Sequence, residues 1–319
     1  MLVTERPGRL RLVAMNGSVS EPISGVPGVV AKGQGGLLDV ALDPDFAENQ
    51  TIYLSFSEPR PGGNGTSVAR AVFSPDRKSL AKVAVIFQQM PAIDSTAHFG
   101  GRLAFAPDKT LFVTLGERYV MRDSAQDLGT HLGKVVHITR DGAPAPDNPF
   151  IGRAGVLPEI WSYGHRNAQG AAIEPSTGLL WTVEHGAQGG DEINRPEAGK
   201  NYGWPVITYG KDYDGSKIGE GTEKQGMEQP LYYWDPSIAP SGMAFYDGSL
   251  FGEWKGDLLV GALKGQKLFR LDVEGGKIIG EEVMLEDLGE RIRDVRIGPD
   301  GAVYLLTDNP QGRVLRMTP

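Results

Sequence analysis

The sequence predicts an all-β protein, a β-propeller with six blades whose first blade lacks its inner strand. A pair of short apolar runs, split by a turn of Pro, Asp or Gly residues, occurs five times. The turns at positions 44, 107, 175, 247 and 299 lie 52 to 72 residues apart, which leaves room for four strands and extended loops. No long segment combines 3.6-residue periodicity with helix caps, so strands are expected throughout.

The five copies share one pattern, a first strand, a turn and a second strand rich in β-branched or aromatic residues. They are 37–44 with 51–55, 102–108 with 111–115, 171–175 with 180–183, 243–248 with 258–260, and 295–301 with 303–306. Residues 1–6 resemble the second strand of such a pair, and Gly312–Met317 supplies a third strand to the last copy. We therefore expect one propeller domain over residues 1–319. Because a closed ring needs the missing strand, we also expect a precursor that extends upstream of Met1, with room for an export signal.

Composition excludes several classes of protein. The chain has 319 residues, 40% of them hydrophobic, and a net charge of −8 from 32 basic and 40 acidic residues. Without a basic cluster, this charge argues against a nucleic-acid partner or an anionic membrane surface. No apolar run reaches about 18 residues, and the N-terminus does not read as a signal peptide. The absence of cysteine excludes disulfides, thiolate nucleophiles and Cys-ligated metals.

Two loop segments directly before predicted first strands carry candidate catalytic groups. In Thr96–Arg102, His98 precedes two glycines, and a neutral imidazole there suits a general base; a structural histidine is the alternative. In Trp161–Gly170, Arg166 and Asn167 offer adjacent donors that can polarise a carbonyl or hold an oxyanion. A loop arginine paired with a surface carboxylate would explain that segment equally well.

A third segment, Glu184–Glu192, is polar and glycine-rich and directly follows a second strand. Exposed backbone carbonyls near carboxylates suit a hard cation such as calcium, although the spacing is not that of an EF-hand. A zinc site at His185 lacks a second histidine three or four residues away.

A fourth segment is basic and contains Lys264, Arg291 and Arg293. Arg291 and Arg293 are two residues apart, so on a strand their side chains point to the same face. Two guanidinium groups on one face repel unless an anion lies between them, which favours a ligand with several carboxylates. Pairing with Asp294 or Glu290 is the alternative.

Taken in order, these segments resemble the soluble pyrroloquinoline-quinone (PQQ)-dependent aldose sugar dehydrogenases, relatives of soluble quinoprotein glucose dehydrogenase. The resemblance runs from the first residues to the last, and that family has a six-bladed propeller. The segments that carry it are 33–38, 98–103, 133–135, 147–150, 159–167, 184–186, 191–194, 199–205, 239–246 and 291–295.

The resemblance implies a role for each candidate residue. His98 would take the proton of the sugar's anomeric hydroxyl while a hydride passes from C1 to the quinone, giving a lactone. Arg166, with Asn167 beside it, would stabilise the quinone oxygen. The carbonyl oxygens of Gly186 and Ala187 would hold a calcium ion.

Further residues are implied to contact the cofactor, the sugar or a second metal ion. The implied cofactor contacts are His185, Ser237, Lys264, Arg291 and Arg293, the implied sugar contact besides His98 is Gln34, and the implied second calcium ligands are Asp212, Asp214 and Glu220. The resemblance also implies an external electron acceptor and a periplasmic or secreted location. We expect a monomer, because short loops offer no dimer surface.

Two departures from the family pattern bear on specificity. Ala187 replaces a frequent proline, but a backbone carbonyl ligates calcium with either residue. Ala97 stands where the glucose enzyme has a sugar-binding aspartate, and the chain lacks several long loops, so a broad range of aldoses is favoured. Two other functions stay open: a calcium-dependent propeller lactonase or hydrolase, whose metal would be held by carboxylate side chains, and a non-catalytic binding propeller.

Overall fold

The structure is a computed structural model that describes residues 1–319, and β-strands form almost all of its regular structure. The strands are β1 (Leu2–Glu5), β2 (Arg9–Leu12), β3 (Leu37–Leu42), β4 (Thr51–Arg60), β5 (Gly63–Phe73), β6 (Leu80–Gln88), β7 (Gly100–Phe105), β8 (Leu111–Leu115), β9 (Lys134–Ile138), β10 (Ile160–Tyr163), β11 (Ala168–Ile173), β12 (Leu180–Glu184), β13 (Asp191–Asn194), β14 (Tyr232–Trp234), β15 (Pro240–Phe245), β16 (Leu258–Ala262), β17 (Leu268–Glu274), β18 (Lys277–Met284), β19 (Ile292–Ile297), β20 (Val303–Thr307) and β21 (Val314–Met317).

Helices are few and short. They are the α-helix α1 (Phe46–Asn49) and the 3₁₀ turns Arg122–Gln126, Gly252–Trp254 and Glu286–Leu288. None of them has the length and apolar character that a bilayer-crossing helix needs. The prediction of an all-β chain without long helices is therefore confirmed.

The strands form five blades, each an antiparallel sheet in which consecutive strands are neighbours. Blades 1 to 4 are the four-stranded sheets β3–β6, β7–β10, β11–β14 and β15–β18, and blade 5 is the three-stranded sheet β19–β21. The five sequence copies supply the first two strands of these blades, because each apolar pair folds as a hairpin around its turn. The predicted third strand near the C-terminus is β21.

The prediction of six blades is wrong. Residues 1–12 form only the two-stranded sheet β1–β2, which pairs Leu2 with Leu12 and has no third strand. A two-stranded hairpin has only marginal stability in water, so it depends on packing against another element. Here Leu10 and Ile23 are buried in a cluster with Leu54 and Phe56 of β4. The N-terminal segment is thus an attachment to blade 1 and not a blade itself.

The chain divides into two compact units, Met1–Asn167 and Ala168–Pro319. The first contains the N-terminal hairpin with blades 1 and 2, and the second contains blades 3, 4 and 5. In each unit the core lies between adjacent sheets. Trp181 of β12, for example, is fully buried with its ring edge-to-face against Phe245 of β15 at 5.4 Å. Burying side chains of this size stabilises the blades by about 1.5–3 kcal/mol each.

A β-bulge interrupts the first strand of every blade, close to the beginning of that strand. The register shifts lie at residues 37–39, 100–103, 168–170, 240–243 and 292–294. Bulges bend a strand and re-aim the side chains beside it, and they are frequent next to active sites. In blade 2, Gly100 and Gly101 adopt φ values of 63° and 98°, a conformation that favours glycine. The first residues of each first strand therefore depart from the regular antiparallel pairing of the sheet.

Candidate functional site

The candidate residues lie at the same end of their own sheets. His98 lies two residues before β7, Arg291 directly precedes β19, and Ser237 comes three residues before β15. His185 and Lys264 follow the second strands β12 and β16. Because the first and second strands are antiparallel, the beginning of the first strand and the end of the second lie at the same end of the sheet. The β-bulges of the first strands lie at that end too.

His98 is buried and paired with Glu117, a carboxylate that the sequence analysis did not single out. The Nδ1 atom of His98 lies 3.0 Å from Oε2 of Glu117, and both side chains are almost completely buried. A carboxylate can only accept, so Nδ1 carries the proton and the lone pair resides on Nε2. The imidazole is thus held in the tautomer that a general base requires.

The surroundings of His98 keep its imidazole neutral. Burial lowers the pKa of His98, the hydrogen bond with Glu117 raises it, and the positive charge of Arg166 lowers it again, with a net shift downward. At neutral pH the side chain is therefore unprotonated and able to accept a proton. The side chains of His98 and Arg166 thus interact electrostatically, and their membership of one catalytic site stays a prediction.

The side chain of Gln34 contacts the backbone of the same histidine. Its Oε1 accepts a hydrogen bond of 2.7 Å from the His98 N–H, and its own N–H donates to the carbonyl of Thr96 at 2.8 Å. His98 has a φ of 49°, in the left-handed region that non-glycine residues rarely adopt. Gln34 is exposed, so its amide nitrogen can donate to a sugar hydroxyl while Oε1 holds the histidine.

Arg166 and Asn167 are buried and lie in a loop fixed at several points. The Arg166 carbonyl accepts from the Glu117 N–H at 3.1 Å, and Asn167 Oδ1 accepts from the Gly100 N–H at 3.1 Å. These bonds join the loop to both strands of the β7–β8 hairpin at its open end. The loop that carries the predicted oxyanion donors is therefore attached to the hairpin that carries His98.

A buried lysine anchors the other side of this loop. Lys134 donates from Nζ to the carbonyls of Ser124, Ala125 and Leu132 at 2.6–3.0 Å, and the Gly164 N–H donates to the same Ala125 carbonyl. Burial lowers the pKa of Lys134 to about 7, while the three carbonyl acceptors favour its ammonium form. Lys134 thus fixes the chain two residues before Arg166.

In the second unit, Asp191 joins the predicted calcium loop to Ser237. Its Oδ1 accepts from the Gly186 N–H at 2.8 Å. Its Oδ2 accepts from Ser237 Oγ at 2.7 Å, and from the N–H groups of Ile238 and Ala239 at 2.7 and 2.9 Å. Asp191 is completely buried, so four donors depend on one carboxylate. Its role is to fix the two loops.

The loop predicted to bind calcium follows β12 and is tightly packed at Gly186. A Cβ on Gly186 would lie 2.1 Å from the carbonyl oxygen of Gly189, so only glycine allows the backbone at Gly189 to approach this closely. The structure has no group of three or more His, Cys, Asp or Glu side chains arranged to hold a metal ion. A calcium ion at Gly186 and Ala187 would therefore depend on backbone carbonyl oxygens, as the resemblance implies.

The residues suggested for a second calcium ion are not brought together as a metal-binding group. Asp212 Oδ1 accepts from the Tyr213 N–H, and Asp214 Oδ1 accepts from the Ser216 N–H. The carboxylate of Glu220 forms an ion pair with Lys224 at 2.8 Å. The acidic side chains thus make local contacts within their own turns.

Arg291 and Arg293 do face one anion, and it belongs to the chain. Oδ2 of Asp308 accepts from Arg291 Nε at 2.9 Å and from Arg293 Nη2 at 3.1 Å. Burial raises the pKa of Asp308, but the charge of Arg293 and the hydrogen bonds from both arginines outweigh it, and the net shift is downward. Two guanidinium groups that share one carboxylate keep a net positive charge, and both arginine side chains are partly exposed. This pair of arginines is therefore suited to bind a carboxylate of a ligand.

The neighbouring candidates have the following partners. Arg293 also donates from Nη1 to Gln169 at 3.4 Å. The Lys264 side chain is exposed, and its backbone N–H donates to Ile238, next to Ser237. His185 donates from Nε2 to the carbonyl of Pro240 at 2.6 Å. The alternative partners Glu290 and Asp294 contact Arg313 and Arg296 instead.

Glu117, Asp191 and Asp308 are the site residues that the sequence analysis missed. Two of them share a signal: Glu117 and Asp308 are acidic residues that lie within two residues after the second strand of a blade. Each faces a basic residue that precedes the first strand of the same blade, as the antiparallel register requires.

The comparisons with known proteins agree with this geometry. The family described as glucose/sorbosone dehydrogenase matches residues 1–316. The aldose sugar dehydrogenase YliI of Escherichia coli (strain K12) is 48% identical, over 100% of this chain and 86% of that protein. A crystal structure of a glucose dehydrogenase is 51% identical with a TM-score of 0.98, covering 100% of this chain and 92% of the other. The PQQ-bound form of aldose sugar dehydrogenase from Streptomyces coelicolor is 30% identical with a TM-score of 0.83, covering 99% and 90%.

Proposed function

We propose how aldose oxidation proceeds in this chain, which belongs to the glucose/sorbosone dehydrogenase family. The predictions of that family and of a PQQ-dependent sugar dehydrogenase are confirmed by its relatives, one of them with PQQ bound. The chain is accordingly a sugar dehydrogenase that depends on PQQ. The observation that carries the proposed mechanism is the buried hydrogen bond between His98 and Glu117, together with the positive charge of Arg166, which lowers the pKa of His98.

His98 is proposed to remove the proton of the anomeric hydroxyl. Because Glu117 occupies Nδ1, the proton is accepted at Nε2, and the carboxylate then stabilises the imidazolium that forms. Loss of this proton and of a hydride from C1 converts the aldose to its lactone, a two-electron oxidation. When bound, PQQ supplies the carbonyl that accepts the hydride.

The positive side chains are proposed to hold the cofactor. Arg166 and Asn167 provide the donors for the quinone oxygen, and their loop is fixed before the ligand arrives. Arg291, Arg293 and Lys264 would receive carboxylates of PQQ, for which their net charge is suited. Ser237 and His185 are proposed as additional contacts, and Gln34 as the sugar contact beside His98.

A calcium ion is proposed at the carbonyl oxygens of Gly186 and Ala187, supported by the close approach that Gly186 permits. The hydrolase alternative needs a metal held by carboxylate side chains, and the structure has no such group. An external electron acceptor, a monomeric state and a periplasmic or secreted location remain proposals from the resemblance. One domain over residues 1–319 also stays a prediction, which the family match over residues 1–316 supports.

Reconstitution tests the proposed function. Purified protein mixed with PQQ and calcium is expected to reduce an artificial electron acceptor only when an aldose is added. Omitting calcium, by adding a chelator, should lower the activity. Hydrolysis of a lactone in the absence of any quinone, without aldose-dependent reduction of the acceptor, would contradict the proposal and favour the hydrolase.

The pH dependence of the reconstituted enzyme tests the role of Glu117. Because the pKa of His98 is lowered, activity is expected to persist below the ordinary histidine range and to fall as pH drops through the shifted pKa. Glu117→Gln removes the negative charge that raises this pKa. The imidazole becomes a weaker base, so kcat should fall by roughly 10–10² while the acid limb moves to lower pH. An acid limb that moves upward, or an unchanged kcat, would contradict this role.

A further inference from the structure

The loop that follows β8 has an unusual backbone at two consecutive residues. Arg118 and Tyr119 both have a φ of 66°, in the left-handed region, although neither is glycine. Bulky residues in this region are strained, and strain of this kind persists only where the surrounding structure holds it. Such strain is concentrated at functional sites.

Arg118 provides the anchor that holds the loop. Its side chain is completely buried and lies over the Phe99 ring at 3.8 Å. The guanidinium donates to the carbonyls of Ala97 and Asn64 at 3.0 Å, to the side-chain oxygen of Asn64 at 2.8 Å, and to the carbonyl of Ser95 at 2.6 Å. The loop is therefore fixed by one side chain with four hydrogen bonds.

Tyr119 lies where this anchored turn meets the catalytic base. Its backbone N–H donates to the Glu117 carboxylate that also binds His98. Its ring packs edge-to-face on the His98 imidazole, with centroids 5.3 Å apart and an interplanar angle of 85°. Yet 52% of the residue is exposed. An aromatic surface is thus held open to solvent directly beside the group that accepts the proton.

From this geometry we infer that Tyr119 is a specificity-determining residue that binds the pyranose ring of the aldose by packing its aromatic face on the sugar's C–H groups. The inference rests on the proposed function, because His98 must be the base that the anomeric hydroxyl approaches. A sugar at the Nε2 atom of His98 lies next to the ring that packs on that imidazole. Aromatic rings present a large, rigid apolar surface with little conformational freedom, which suits such a contact.

Two variants and a control distinguish the effect of losing the aromatic ring from the effect of disturbing the loop. Tyr119→Ala removes the aromatic surface, Tyr119→Phe keeps it without the hydroxyl, and Val120→Ala removes an exposed side chain from the next position of the same loop. In the reconstituted enzyme, Tyr119→Ala should raise the KM for aldoses about tenfold and change kcat much less. Tyr119→Phe and Val120→Ala should stay close to the parent protein.

A second readout does not depend on turnover. The sugar analogue 1,5-anhydroglucitol lacks the anomeric hydroxyl, so it binds without being oxidised. Its binding is measured by saturation-transfer NMR, with the protein alone and with PQQ and calcium added. We expect saturation of the ring C–H protons with the parent protein and with Tyr119→Phe, and loss of it with Tyr119→Ala.

The outcomes separate this inference from the proposed function. If the parent protein oxidises aldoses and Tyr119→Ala matches it in KM and in analogue binding, the inference is overturned and the proposed function stands. If the parent protein binds the analogue through Tyr119 but reduces no acceptor, the proposed function fails instead. Equal effects of Val120→Ala and Tyr119→Ala, or no analogue binding by the parent protein, would also overturn the inference.

Discussion

Replacing His98 with alanine is expected to lower the turnover of the reconstituted enzyme by about 10²–10⁴, the usual contribution of a general base. The reason is that the proposed proton acceptor is the Nε2 lone pair, and the Glu117 carboxylate holds the imidazole in the tautomer that leaves this lone pair available. PQQ binding should stay nearly intact, because the imidazole acts on the sugar. Steady-state kinetics together with a PQQ titration measure both quantities.

The backbone of His98 requires a second variant as a control. Its φ of 49° strains an alanine at this position, so His98→Ala could lower activity through the loop conformation alone. Asparagine tolerates the left-handed region and has no basic nitrogen. We therefore expect His98→Asn to match His98→Ala in turnover while keeping the parent melting temperature. Parent-like turnover in His98→Asn would remove the imidazole from the mechanism.

Replacing Asp191 with alanine is expected to lower the free energy of unfolding by about 3–6 kcal/mol. The buried N–H of Gly186 and the partly buried N–H of Ile238 would lose their acceptor, at about 1–3 kcal/mol each, and the partly buried N–H of Ala239 would keep only its 3.2 Å bond to Ser237 Oγ. This is a large fraction of the roughly 5–15 kcal/mol that stabilises a typical protein. Urea unfolding measures the change, and hydrogen exchange at the three amides locates it.

Two further variants are expected to lose less unfolding free energy than Asp191→Ala and serve as its controls. Asp76→Ala removes an exposed aspartate that also accepts from a backbone N–H, at Lys78, and it should cost far less because water replaces the acceptor. Asp191→Asn keeps one acceptor oxygen and should be intermediate. A loss below about 1 kcal/mol in Asp191→Ala would mean that the carboxylate does not hold the two loops together.

The sequence predicts the strands well because they are repeated and locally patterned. Each of the five copies joins two short apolar runs through a turn, and each folds as the first hairpin of a blade, as in β7–β8 and β19–β20. Turn chemistry and apolar runs are local properties, so one chain suffices to find them. The number of blades is not local. The strand at residues 2–5 resembles the second strand of a copy, yet its segment supplies only a hairpin.

The site was predicted in part, for a similar reason. A histidine before two glycines and two arginines at strand spacing are visible along the chain, whereas their partners depend on how strands pair. The register that pairs Gly100 with Leu115 places His98 opposite Glu117 two residues further on. The register that pairs Ile292 with Thr307 places Arg291 opposite Asp308. If the antiparallel pairing of each predicted hairpin is continued beyond the ends of its two strands, Glu117 and Asp308 fall opposite His98 and Arg291.

Asp191 and Tyr119 had no comparable signal. Asp191 contacts Ser237 and Ala239, more than forty residues away, through a geometry that only the folded blade defines. Tyr119 depends on a left-handed backbone that sequence propensity disfavours for tyrosine. Positions where local preference is overruled are commonly functional, and here that position borders His98, the proposed base.

A single-turnover experiment tests the central claim most directly, namely that His98 takes the proton of a sugar that reduces a bound quinone. Protein loaded with PQQ and calcium is mixed rapidly with an aldose in the absence of any electron acceptor, and the absorbance of the bound quinone is followed. The account predicts one equivalent of quinone reduced per protein, slowed by deuterium at C1 and nearly abolished in His98→Asn. Quinone that binds but stays oxidised with the parent protein, or is reduced equally fast in His98→Asn, would contradict it.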